Sequence, residues 1–149
     1  MFRIIKTILI VIFLTTCIFV FVGCREPVEQ TELSFETVSK DFYSAWEDPA
    51  NITVNDSYAF DDLITSAGID IQEDIDFDES TIIAVFMGQQ STGGYEVEIK
   101  KIVEGADQIT VTFESTEPSE DEMVAQVITS PYHMVKIDQA EKAVVFEEQ

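Results

Sequence analysis

The chain has 149 residues, and 29 acidic against 8 basic residues give it a formal net charge of −21 at neutral pH. Nucleic acid and anionic lipid head groups are bound through clustered lysine and arginine, so we expect neither as a partner. The length suits one ordinary domain.

The first 23 residues have the organisation of a secretory signal. Arg3 and Lys6 precede an apolar segment over residues 8–22, and a glycine follows directly before Cys24. A charged start, an apolar centre and a small residue before the cleavage point are typical of such signals. The apolar segment is also short against the roughly 20 residues that a membrane-spanning helix needs.

Residues 21–24, FVGC, are similar to a lipobox, in which the cysteine receives a diacylglyceryl group and becomes the new N-terminus. We therefore predict lipidation of Cys24 and anchoring of the domain on the extracytoplasmic side, at the cell membrane or an outer membrane. Phe21 and Val22 replace the usual leucine and small residue, so an uncleaved N-terminal anchor is the alternative. Cys17 would leave with the signal, and the mature chain would hold no thiol for a disulfide or a metal.

These features divide the chain into three parts. Residues 1–23 are the predicted signal peptide, residues 24–33 the lipidated cysteine with a polar, flexible tether, and residues 34–149 the domain. Loss of Arg3 and Lys6 with the signal changes the net charge from −21 to −23. Such a surface stays soluble at high salt and repels itself where screening is weak.

The first half of the domain predicts two short strands and a helix. Residues 35–40 have a weak strand pattern, and a short strand follows at residues 52–54. Asp56 is a predicted N-cap, the apolar residues of 58–67 recur at helical spacing, and Gly68 supplies a stop. We expect this amphipathic helix to cover one face of a sheet.

The acidic connection after the helix has an incomplete calcium pattern. Asp74, Asp76 and Asp78 have the spacing of the first three ligands of an EF-hand loop. Glu79 stands where the turn glycine belongs, and Val85 where the bidentate glutamate belongs. The interleaved apolar residues indicate a connection packed on the core, so we predict no metal site.

The centre of the chain predicts two strands around a glycine-containing connection. Residues 82–87 form an unbroken apolar run, which is typical of a strand covered on both faces. Residues 88–94 are small and polar, and residues 95–99 alternate as in a half-buried strand. We expect the chain to reverse at this connection, as in a hairpin.

The second half predicts further strands. A turn at residues 105–107 leads into alternation over residues 109–113, which makes an antiparallel meander with the preceding strand. Additional strand patterns follow a polar loop and lie at residues 123–128, 134–137 and 143–146. The predicted fold class is therefore α+β: a small single domain with a mainly antiparallel β-sheet and one short helix packed on it.

No catalytic apparatus is predicted. His133 is the only histidine of the chain, and no serine stands at a spacing that would pair with it as a nucleophile. The patterns GxSxG, HExxH and GxxxxGK are absent from the sequence. We expect a binding or structural role, without a cofactor.

Two motifs carry a resemblance to a known family. Residues 86–99 read FMGQQSTGGYEVEI, and residues 129–133 read TSPYH, followed by Val135. This combination resembles the PrcB C-terminal domain family, named after the lipoprotein subunit of a bacterial surface protease complex, from about Ser34 to the C-terminus. The resemblance implies a non-catalytic, membrane-anchored protein that stabilises or assists a secreted or surface-associated protease.

The resemblance and the suitability of tyrosine for interfaces suggest a partner-binding surface on two loops. The candidate partner-binding residues are Thr92, Gly93, Gly94 and Tyr95 in one loop and Pro131, Tyr132 and His133 in the other. Two alternatives stay open. One is an inhibitor similar to chagasin, whose threonine-glycine-tyrosine loop this sequence faintly resembles, and the other is a stand-alone envelope domain that binds a small ligand.

Overall fold

The structure, a computed structural model, describes residues 30–149. The predicted signal peptide, Cys17 and the lipidation site Cys24 lie outside the described residues. The elements are β1 (Thr31–Leu33), β2 (Glu36–Asp41), β3 (Ala50–Val54), α1 (Ser57–Ala67), β4 (Ser80–Phe86), β5 (Glu96–Glu104), β6 (Gln108–Thr116), β7 (Tyr132–Asp138) and β8 (Ala143–Glu148).

The described strands form two four-stranded sheets. One has the order β2-β7-β4-β3 and is antiparallel throughout, and the other has the order β1-β5-β6-β8. The pairs β1–β5 and β5–β6 are antiparallel, whereas β8 runs parallel to β6. The predicted α+β class with mainly antiparallel strands and one helix is confirmed, although the strands divide between two sheets.

Strand β4 is buried on both faces, as its unbroken apolar run predicts. Ile83 and Val85 face the second sheet and pack with Ile99, Val111 and other residues of β5 and β6. The alternate residues of β4 face α1 and pack with the buried side chains of that helix. The molecule thus has three layers, in the order helix, sheet, sheet, with β4 and β7 in the middle.

Helix α1 begins and ends where the sequence indicates. The Asp56 side chain accepts a hydrogen bond from the Ala59 N–H at 2.9 Å, and Gly68 ends the helix with a φ of 65°. Phe60, Leu63 and Ala67 are the buried residues of its apolar face. The N-cap, the amphipathic face and the glycine stop are all confirmed.

The connection between β4 and β5 differs from the expected hairpin. Both neighbours of β4 in its sheet are already taken, by β3 and β7, so β5 has no edge beside β4 on which to pair. Residues 87–95 instead carry the chain from one sheet to the other. The prediction of a hairpin at this connection was wrong.

Two further segments differ from the sequence prediction. Residues 31–33 were assigned to the flexible tether, but they pair with Glu104–Ile102 as β1, so ordered structure begins before Ser34. Residues 123–128 were predicted as a strand and form none. Their backbone bonds to the connection at residues 88–94 through the Gly93 N–H and the Ala125 carbonyl, 2.8 Å apart, rather than to a strand.

Between residues 30 and 149 the single helix is too short and too polar to cross a membrane.

Candidate partner-binding surface

The structure brings the two sequence motifs into direct contact. The Thr129 hydroxyl donates to the Thr92 carbonyl at 2.8 Å, and Gln90 and Thr129 exchange two backbone hydrogen bonds of 2.7 and 3.1 Å. The Met87 N–H donates to the Pro131 carbonyl at 2.9 Å. These bonds fix residues 88–94, the TGG loop, against the segment that leads into β7.

The glycines of the TGG loop differ in what they require. Gly94 has a φ of 91°, and a Cβ there would lie 2.8 Å from Val124 and 2.9 Å from Pro118, so only glycine fits without strain. Gly88 has a φ of 74° and is equally closed, because a Cβ would meet the backbone of residues 47–49. A Cβ on Gly93 would make an ordinary contact of 3.5 Å with Ala125.

An apolar groove runs beside the TGG loop on the molecular surface. Its volume is about 340 Å³. It is lined by Phe42, Tyr43, Gly93, Gly94, Glu96, Ala125, Val127 and Thr129, and we call it the Phe42 groove. Phe42, Tyr43 and Val127 are 50%, 58% and 41% exposed, so its apolar walls are open to solvent. Exposed apolar side chains grouped in this way mark interaction sites more often than scattered ones do.

The two aromatic residues of the groove are held by an anchored backbone. The Asp41 carboxylate accepts from the Phe42 and Tyr43 N–H groups at 2.6 and 3.1 Å. The Phe42 carbonyl accepts from the Ser130 N–H at 2.9 Å, and the Ser44 hydroxyl lies 2.9 Å from that of Ser130. Phe42 and Tyr43 are therefore exposed on a fixed turn rather than on a loose loop.

Tyr132 belongs to the core rather than to the surface. It is 4% exposed, and its hydroxyl lies 2.7 Å from the Ser39 hydroxyl. Its ring stacks on Phe86 with centroids 5.7 Å apart, and Phe86 stacks in turn on Trp46 at 5.0 Å. The stack fills the layer between the central sheet and α1.

His133 joins the two sheets. Its Nδ1 accepts from the Ile99 N–H at 2.9 Å, at the point where the β5–β6 register shifts. Since Nδ1 accepts, the neutral ring carries its proton on Nε2, which donates to the Thr37 hydroxyl at 3.0 Å. Burial, together with the charge of Lys40, lowers the pKa of His133 to about 4. The imidazole is therefore neutral at physiological pH, and both nitrogens are occupied.

The candidate binding residues thus separate into two groups. Thr92, Gly93 and Tyr95 are half-buried and Gly94 is exposed, at or beside the groove. Pro131, Tyr132 and His133 are buried, and their contact with a partner stays a prediction. Their burial follows from the position of β7, because both faces of this strand are covered and no side chain in it reaches solvent before Lys136.

Sequence reasoning missed the main exposed part of this surface. Phe42 and Tyr43 follow β2 directly, and Val127 lies in the segment that was predicted as a strand. The available signal was a pair of adjacent aromatic residues at the end of an otherwise polar strand. Successive side chains of a strand point to opposite faces, so a sheet with one covered face would bury only one of the two.

Charge around the groove is negative. Two lysines, Lys40 and Lys100, are shared among three glutamates, one of which, Glu96, lines the groove. Lys40 lies 2.8 Å from Glu96 and 3.3 Å from Glu98, and Lys100 contacts Glu98 and Glu114. Lys101, Lys136 and Lys142 also pair with carboxylates. Every lysine of the described chain is thus engaged, and none is left to receive an acidic partner.

The acidic connection at residues 70–79 does not have the geometry of a metal site. Within residues 30–149, no group of three or more histidine, cysteine, aspartate or glutamate side chains is arranged to hold a metal ion. Asp76 instead accepts from the Asp78 N–H at 2.9 Å and so closes a local turn. Ile71, Ile75 and Phe77 pack against the helix-side core between the acids.

Comparison with known proteins gives one match. Residues 81–138, which run from the start of β4 to the end of β7, match the family model described as PrcB C-terminal. This segment contains both motifs and the TGG loop. Neither the curated proteins nor the solved structures contain a match.

Proposed function

Because residues 81–138 match the model of the PrcB C-terminal family, we propose that the protein is a non-catalytic accessory subunit of a protease complex. In this proposal Cys24 carries the lipid, and the domain lies outside the cytoplasm. The domain binds a secreted or surface-associated protease and stabilises or assists it through protein contacts.

The observation that carries the proposal is the joining of the two family motifs beside the Phe42 groove. The bond between Thr129 and the Thr92 carbonyl and the fixed turn at Phe42 give that surface one defined shape. Surfaces that are already ordered lose little conformational entropy on binding, which favours affinity. Tyrosine and phenylalanine are also enriched at protein interfaces, and tyrosine is among the residues that contribute most to binding.

A non-catalytic role agrees with the state of His133. A general base must present a free nitrogen to its substrate, whereas both ring nitrogens of His133 are bonded inside the sandwich. Its 3% exposure leaves no approach for a substrate atom. The residue supports the fold that positions the groove.

The proposal is tested by affinity capture of the full-length protein after membrane extraction from its own cells. The bait is compared with a Phe42→Ser, Tyr43→Ser double variant and with a matched control, Tyr58→Ser. Tyr58 is 83% exposed but lies on α1, away from the groove. All three forms should be recovered in equal amounts and with the same Trp46 fluorescence.

We expect a secreted protease to co-purify with the wild type and the Tyr58→Ser control and to be lost from the double variant. The protease's half-life and activity, with and without the protein, then distinguish assistance from inhibition. Recovery of the wild-type protein alone would contradict the proposal.

A further inference from the structure

The Phe42 groove also indicates what kind of segment it binds. We infer that its occupant is a basic, extended segment of the partner protein that inserts one apolar side chain between Phe42 and Val127. This inference deepens the proposed function, on which it rests, by naming the chemistry of the contact.

The shape of the groove suits an inserted side chain. Its lining combines the apolar residues Phe42, Tyr43, Ala125 and Val127 with two glycines of the TGG loop. Glycine has no side chain beyond its backbone, so Gly93 and Gly94 leave room for a partner atom to approach closely. At about 340 Å³ the groove has room for a large side chain, but its exposed walls do not enclose a free small molecule.

Charge decides the flanking residues of the occupant. Glu96 lines the groove, and Asp41 and Lys40 both line the adjoining depression that shares Phe42 and Glu96 with it. Lys40 is shared between Glu96 and Glu98, so the carboxylates there outnumber the cations. An acidic segment would meet uncompensated like charge, whereas lysine or arginine beside the apolar residue would be attracted.

The wider chain strengthens this selection. The net charge of −21 gives a negative field on every approach, which steers basic segments and repels acidic ones. The apolar contact then fixes the register, because only a side chain that fills the groove removes Phe42 and Val127 from water.

The test measures binding of fluorescein-labelled nine-residue peptides to the full-length protein in nonionic detergent. The first peptide has a central leucine with two lysines on each side. One matched peptide replaces the leucine by serine, and another replaces the lysines by glutamates. The protein variants are Phe42→Ser, Val127→Ser and the control Tyr58→Ser.

We expect the lysine–leucine peptide to bind at least about tenfold more tightly than its serine counterpart, because burying the leucine removes its apolar surface from water. This ratio should fall to near one with Phe42→Ser and Val127→Ser and stay unchanged with Tyr58→Ser. The glutamate peptide should not bind.

Three results would overturn the inference: equal binding of the leucine and serine peptides, binding of the glutamate peptide, or no binding of any peptide. Its failure is separable from failure of the proposed function. If a protease is captured in a Phe42-dependent way but no peptide binds, the accessory role is supported and the inference about the bound segment is wrong. If the peptides bind as expected but no protease is captured, the inference about the groove is supported and the proposed protease partner is wrong.

Discussion

His133 gives the sharpest quantitative prediction, because its titration is coupled to the contact between the two sheets. In the unfolded chain a histidine has a pKa near 6.5, whereas in the folded protein burial lowers the pKa to about 4. Between these two pKa values the unfolded chain binds a proton at His133 and the folded chain does not. The free energy of unfolding therefore falls as the pH decreases from about 6.5 through 4, and the loss from this group levels off about one pH unit below the folded pKa.

The magnitude follows from the difference between the two pKa values. At about 1.36 kcal/mol for each pKa unit, His133 should remove about 3 kcal/mol by pH 4, and about 2 kcal/mol of this by pH 5. The groups that face the ring are Lys40 on β2 and Glu96, Glu98 and Lys100 on β5. Glu98 has its own pKa lowered, chiefly by its hydrogen bond to Lys100, so its protonation adds a further loss at lower pH.

The perturbation is His133→Asn, which removes the titrating ring and keeps a side-chain oxygen that can accept from the Ile99 N–H. Chemical unfolding of wild type and variant is measured between pH 7.5 and 5, above the sequence pI of about 4.1. Other carboxylates contribute equally to both proteins, so the difference in slope isolates His133. The wild type should lose about 2 kcal/mol more than the variant, and parallel profiles would refute the reasoning.

Three further predictions concern stability. Gly94→Ala should lower the free energy of unfolding by about 1–3 kcal/mol, because of the φ of 91° and the close Val124 and Pro118 contacts. Gly93→Ala should change it by less than about 1 kcal/mol. Urea unfolding of the two variants checks this, and equal effects would contradict the loop geometry. Thr129→Val should lower the free energy of unfolding by about 0.5–1.5 kcal/mol and raise the rate of amide hydrogen exchange at Gly93, because the hydrogen bond to the Thr92 carbonyl is lost. An unchanged exchange rate would show that this hydrogen bond does not hold the TGG loop. Asp56→Ala should cost about 1 kcal/mol in thermal or urea unfolding through the lost helix cap, and an Asp56→Ser variant should recover most of it.

The sequence determines the local elements well because local chemistry fixes them. Asp56 and Gly68 bound α1 through their own hydrogen bonds and φ value, and the unbroken apolar run of β4 reports its two covered faces. The choice of strand partners depends on distant parts of the chain. Periodicity at β4 and β5 is the same whether the connection between them is a hairpin or a crossing between sheets, so only the position of β7 decides it.

The candidate site was predictable only where its residues have a local backbone role. The glycines of the TGG loop are visible in sequence because their backbone role is local. The burial of Tyr132 and His133 depends on α1 and on β5, which cover opposite faces of β7, and no local pattern distinguishes that from an exposed strand entry. Phe42 and Tyr43 become a surface through bonds to Ser130, far along the chain.

Protease binding at the Phe42 groove is tested most directly by photo-crosslinking in living cells, with a photoreactive phenylalanine analogue in place of Tyr43 or, as a control, of Tyr58. Both positions are exposed aromatic residues, at 58% and 83%, on different parts of the domain. We expect a crosslink to a secreted protease from position 43 alone, and we expect the crosslinked peptide of the protease to be rich in lysine or arginine. Crosslinks from position 58 only, or none from either to any protease, would contradict it.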